Sequence, residues 1–228
     1  MTGPQLATFA EELNGGASIG ETLLFQYINL AKAMVEQRRP WMILRDTDTS
    51  KTVTAATSAW QTAIDLTTIA RFSRFYGDDP IKNFGGTNRI DNLHEVPWHR
   101  RLEYKDMINT FVFNHGTKQL YLNGSISAGT LYIDHIKNSE EIENDASSEW
   151  SFPSWSHPLL GYMAVAMNKG GVDYDDLNAR MAPENQARAD AIIRQLENWD
   201  NELQLSSLNQ FDPTDSDPGF RSGAINIH

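Results

Sequence analysis

The amino-acid sequence predicts an α+β fold that is mainly α, and three observations predict it. Apolar residues recur at helical spacing in three stretches, about 19–38, 158–168 and 183–205. Between the first two lies a β-rich insertion, about 51–137, with threonine, valine and isoleucine alternating against polar neighbours. Beyond Ser206 the chain becomes Asp-Pro-rich, the composition of an arm and not of a packed element. The expected division is an N-terminal extension over 1–17, a core over 18–205 and a C-terminal arm over 206–228.

The first helix is expected to open on Ser18 and Glu21, which have the spacing of a capping box. Leu23, Leu24, Tyr27, Ile28, Ala31, Met34 and Val35 then follow the helical repeat. Pro40 stops the helix, and Trp41, Ile43 and Leu44 form an apolar anchor before the polar turn 46–50.

Residues 51–70 read as two short strands. From Arg71 to Val96 glycine, aspartate and asparagine dominate, and the stretch reads as a long loop or excursion. It carries Phe72, Phe75, Tyr76 and Phe84, which either contact partners or fold back onto the core. Residues 102–114 fit helix or strand. Residues 118–123 and 129–137 read as a hairpin, with Leu120 and Leu122 on one face, Leu131 and Ile133 on another, and Asn123-Gly124 opening the connection. Residues 138–149 form an acidic, solvated linker.

Pro158 starts a run, Leu159 to Met167, that is apolar nearly all round and should be buried. Pro183 can start the last helix, whose stripe is Ala189, Ile192, Leu196, Trp199 and Leu203.

Composition narrows the function. The chain has no cysteine, which excludes disulfides and thiolate chemistry. Its formal charge of −11 disfavours tight binding to a phosphate backbone, although a carboxylate-lined lumen would let DNA slide without sticking. No window approaches a membrane span, and the first 13 residues lack the features of a secretion signal, so a soluble chain made in the cytoplasm is expected.

No catalytic set stands out. His94-Glu95 and His99 resemble a zinc-protease helix, but Pro97 intervenes and the spacing is one residue too long. Asp212, Asp215 and Asp217 lack the glycine and closing glutamate of an EF-hand. There is no phosphate-binding glycine motif and no nucleophile elbow, so no catalytic residue, metal or cofactor is expected.

Taken in order, three motifs resemble the neck adaptor (head-completion, connector) proteins of tailed bacteriophages. They are Arg39-Pro40-Trp41-Met42-Ile43-Leu44 after the first helix, Gln119-Leu120-Tyr121-Leu122-Asn123 followed by Gly129-Thr130-Leu131-Tyr132-Ile133, and Trp150-Ser151-Phe152-Pro153-Ser154-Trp155 before the buried helix. The resemblance covers about residues 18–210 and departs from the family at Asn123-Gly124, where proline is common, and across 71–96.

It implies a helical bundle of three or four helices with a small antiparallel β-domain or hairpin insertion and an extended C-terminal arm. It further implies a non-enzymatic virion protein of the neck, assembled in the host cytoplasm as a dodecameric ring under the portal. Its partners would be the portal protein, a tail or second neck protein and its own copies, with double-stranded DNA only as cargo through an acidic lumen and no membrane. In the arm, Phe211, Phe220, Ile225 and Ile227 are expected to dock on a partner, since apolar residues in a polar segment need one. The alternatives are another virion structural protein, capsid-associated or from the tail tube, and a small hydrolase or nucleotide-modifying enzyme with an unrecognised site.

Overall fold

Two hydrophobic cores, joined through one strand, organise the chain. The structure is a computed structural model that describes residues 1–54, 60, 63–85, 89–105, 107–123, 126–169 and 181–208.

The first core is helical. α1 (Gly3–Leu13) begins with proline in its first turn, and Gln5 Oε1 accepts the Thr2 N–H at 2.9 Å. Its Leu6 and Ala10 are fully buried, so part of the expected N-terminal extension belongs to the core. α2 (Glu21–Gln37) buries Leu24, Ile28, Ala31 and Val35 along one stripe. The expected capping box is absent: Gly20, at φ +83°, is the N-cap, and the Ser18 hydroxyl donates instead to Glu11 Oε1 at 3.0 Å. After Pro40 the chain turns back, and the buried Trp41 donates its indole N–H to Val35 O at 2.8 Å.

α3 (Pro158–Asn168) is the central helix, buried at every residue from Leu159 to Met167 and packed against the other three helices. α4 (Pro183–Leu208) turns Ala189, Ile193, Leu196 and Asp200 inward. Its inner face is thus rotated from the expected stripe, because Asp200 finds buried partners and holds a position that polarity would assign to solvent.

The second core belongs to a sheet of eight strands: β1 (Arg45–Val53), β2 (Ile64–Asp65), β3 (Phe72–Phe75), β4 (Ile81–Gly85), β5 (Arg89–Glu95), β6 (Thr110–Asn114), β7 (Gln119–Asn123) and β8 (Gly129–Lys137). The order is β1-β8-β4-β5-β6-β7-β2, with β3 pairing beside β4 on β8, and the sheet curls into a nearly closed barrel. All pairings are antiparallel except β5 with β6, which join over His94↔Thr110 and Glu95↔Phe111. Leu93, Phe111, Phe113, Leu120, Leu122, Leu131 and Ile133 fill the inside.

This overturns the mainly-α expectation. The molecule is not a helical bundle with a small β insertion; the sheet has its own core, and among the described residues eight strands stand beside four helices. The excursion at 71–96 holds three of those strands, hidden in the sequence by turn residues such as Gly77 at φ +90° and by polar strand positions.

The hairpin is also corrected, since β7 and β8 do not pair. β7 pairs with β6, matching Phe111 to Leu122 and Phe113 to Leu120, while β8 pairs with β1, β3 and β4. The tight turn lies at 115–118, where Asn114 Oδ1 accepts the Gly116 N–H at 3.0 Å and Lys118 takes φ +51°.

β8 joins the cores: Leu131 and Ile133 enter the sheet core, and Ile136 enters the helical one. Among the described residues no helix is long and apolar enough to cross a membrane.

Candidate functional site

A polar stripe on α2 fixes the acidic linker. Asn29 exchanges two hydrogen bonds with the backbone of Ile142, at 2.8 and 2.9 Å. One turn on, the Lys32 ammonium donates to Ser139 O at 3.1 Å and Glu140 O at 2.8 Å. A further turn on, the buried Glu36 carboxylate accepts from the Ser139 hydroxyl and from the Trp150 indole N–H, the latter at 2.9 Å. Burial drives the Lys32 ammonium below its ordinary range, and Glu36 beside it opposes that shift.

The linker is therefore a strap with a bonded backbone, and its carboxylates face outward, Glu140 with 79% of its side chain exposed. Between strap and helix lies an open groove of about 460 Å³. Phe25 supplies its apolar surface, and among the described residues Glu21, Glu141 and Glu143 line it and no cation does.

The opposite chemistry appears on the sheet half. Residues 97–109 leave β5 through Pro97 and cover the outer face of β6 and β7, where Trp98 lies 5.3 Å from the Tyr121 ring. The buried Asn123 secures the segment by donating to Tyr104 O at 2.6 Å and Met107 O at 2.8 Å. Arg101 stacks on Trp98 at 4.5 Å, and Arg100 pairs with Glu103 at 2.7 Å. Beyond these, Leu102, Met107 and Ile108 are 71%, 49% and 64% exposed, an unpartnered apolar tip flanked by guanidinium groups.

The aromatic residues expected as excursion contacts lie elsewhere. Phe72 is buried, stacked on His135 and set edge-on to Phe75 and Phe113. Phe75 is half-buried against Phe111 and Phe113. Half-buried Tyr76 packs on the helical core under Arg45, and half-buried Phe84 leans on Tyr132 at 4.1 Å. Phe211, Phe220, Ile225 and Ile227 lie outside the described residues. The tip at Leu102, Met107 and Ile108 was not foreseen; its signal was a run of apolar residues in a basic stretch after Pro97, fitting neither structural period.

The histidines that the sequence sets near one another belong to no metal-holding cluster among the described residues. His94, on β5, pairs with Asp79 at 2.7 Å, and His99 sits in the turn beyond Pro97. Among the described residues no three histidine, aspartate or glutamate side chains are grouped to hold a metal. The surface instead shows an acid-lined groove on the helical half and an exposed apolar tip beside Arg101 on the sheet half.

Residues 2–211 match the family described as SU10 adaptor protein. The chain belongs to the SU10 adaptor protein family. It is thereby a bacteriophage structural protein of the adaptor type, a component of the virion that meets other head or tail proteins, and this membership argues against a catalytic role. The match spans α1, the whole sheet, the strap and α4, so both cores are part of the SU10 adaptor unit. Of the four C-terminal apolar residues, only Phe211 falls within it. No curated protein matches the chain.

Proposed function

We propose that this SU10 adaptor forms a ring at the head-to-tail neck, beneath the portal, through which DNA passes and below which a tail or second neck protein docks. The observation that carries the reading is the adaptor match over residues 2–211, which takes in both cores and the strap between them. Its charge suits the role. Residues 45–137 hold eleven Lys and Arg against ten Asp and Glu, whereas the rest of the chain holds eight against twenty. A wall of such carboxylates repels a phosphate backbone and keeps a conduit free of adhesion.

Residues 206–228 are the proposed portal-docking segment, through Phe211, Phe220, Ile225 and Ile227. The test of location is immunogold electron microscopy of intact virions that carry a peptide tag in the exposed turn at 115–118. Gold is expected at one vertex, between head and tail. Label spread over the head or along the tube would sink the neck assignment. Deleting 209–228 is expected to prevent incorporation while the folded core keeps its circular dichroism; normal incorporation would refute the docking role.

A further inference from the structure

We propose that neighbouring copies of this chain join head to tail, with the segment around Arg100, Arg101 and Leu102 of one copy seated in the groove between α2 and the strap of the next. The inference rests on the ring reading above and names the surfaces that would build it.

The two surfaces are complementary in each respect the structure measures. Leu102 is 71% exposed on a segment that Asn123 holds in place, so its display carries no ordering penalty at docking. The groove, about 460 Å³, is wide enough for a leucine side chain and offers the half-buried Phe25 ring to cover it. Arg100 is paired with Glu103, which leaves Arg101 beside the leucine as the cation to offer, and Glu21, Glu141 and Glu143 line the receiving groove. Arg101 uses one N–H on Trp98 O at 3.0 Å, which leaves the planar fork able to take a carboxylate.

The occupant is a second copy because this chain displays both halves of the contact and the groove is not complementary to itself. Groove against groove would oppose glutamates, so a two-fold dimer through that patch is disfavoured, whereas Arg101 of one copy meets carboxylates only in the groove of another. The segment is bonded to the sheet half and the groove is built on the helical half. A contact between unlike surfaces repeats from copy to copy and closes into a ring when its rotation divides a full turn.

The chain has no cysteine, so cross-linking can be read without background. Mass-tagged Leu102→Cys and Gln26→Cys chains are mixed, assembled and oxidised gently, both free and within purified particles; Gln26 lies on the groove wall. The mixed dimer is expected to exceed either like dimer by about tenfold. Arg101→Glu should weaken assembly about tenfold, and combining it with Glu141→Lys and Glu143→Lys should restore it.

Sedimentation separates the two possible failures. Chains that form large rings with no excess of the mixed dimer would overturn this interface and leave the ring reading standing. Chains that stay monomeric in solution and give no mixed dimer in particles would remove both.

Discussion

Asp200 offers the sharpest test of what holds the helical core together. Its side chain is fully buried on α4 and takes three bonds, from Arg39 Nη2 at 2.9 Å, from the Met42 N–H at 2.6 Å and from Gln204 Nε2 at 2.9 Å. These tie α4 to the turn after α2, the turn whose Trp41 anchors the core. Asp200→Ala takes the buried charge away from a guanidinium that is three-quarters buried and then keeps only Asn201 Oδ1, at 2.9 Å, and it leaves the Met42 N–H without its acceptor. Breaking a buried pair from one side costs roughly 3–5 kcal/mol, whereas an apolar redesign of the whole pair would cost far less. For a chain of this size 1 kcal/mol moves the melting temperature by about 2–4 °C, so the variant should melt roughly 6–20 °C lower. Asp200→Asn keeps one acceptor and loses the charge, and should fall between the two. Thermal circular dichroism with urea titration gives both figures. If Asp200→Ala stays within about 0.5 kcal/mol of wild type, the tie contributes nothing and the argument is wrong.

Three further outcomes follow from the same geometry. A Cβ on Gly129 would lie 2.3 Å from the backbone O of Phe84, whereas one on Gly161 would meet the Phe9 ring at 2.6 Å. Overpacking of this kind costs about 1–3 kcal/mol, and Gly129→Ala should cost more than Gly161→Ala because the β4–β8 ladder yields less than one ring; urea midpoints in the reverse order would contradict this. The folded state holds the Lys32 ammonium below its ordinary 10.5, so between the two values the unfolded chain binds more protons and wild-type stability rises with pH. Lys32→Met should lack that rise, and parallel stability curves between pH 7 and 10 would show that burial does not depress the group. Asn123→Ala should remove two bonds of about 1 kcal/mol each from the 97–109 segment, which raises local opening roughly thirtyfold. Tryptic cleavage after Arg100 and Arg101 should quicken accordingly, and unchanged kinetics would mean that Asn123 is not what secures the tip.

The helices were the legible part of this fold. Their period is local, so Leu24, Ile28, Ala31 and Val35 declare one face without reference to any other segment, and the run from Leu159 to Met167 declares burial on all sides. α1 carried the same signal in Leu6, Phe9, Ala10 and Leu13 behind Pro4, but it is short and was read as extension. The sheet was less legible because its pairing is non-local. Asn123-Gly124 has the strongest hairpin chemistry in the chain, yet Asn123 is buried and used to hold a loop, while the true turn at 115–118 has the weaker signature. β4 and β5 read as loop because Lys82, Asn83, Asp91 and Asn92 interrupt the alternation; Asn83 points inward, is fully buried, and donates to Ser127 O at 3.0 Å.

The interaction surfaces were the least legible, and the reason is physical. Aromatic residues in a polar stretch invite a contact reading, but Phe72 and Phe75 are what a barrel end needs in order to close over Phe111 and Phe113. An exposed patch is defined by what fails to pack, and packing is settled only when all strands are in place. Residues 97–109 carry leucine, methionine and isoleucine in the composition of a core segment, yet Val112 and Tyr121 already satisfy the sheet face beneath, so the tip is left over. Because Leu131 and Ile133 of β8 lie in one core and Ile136 lies in the other, one continuous strand joins the sheet half, whose β7 secures the tip, to the helical half that carries the α2 groove.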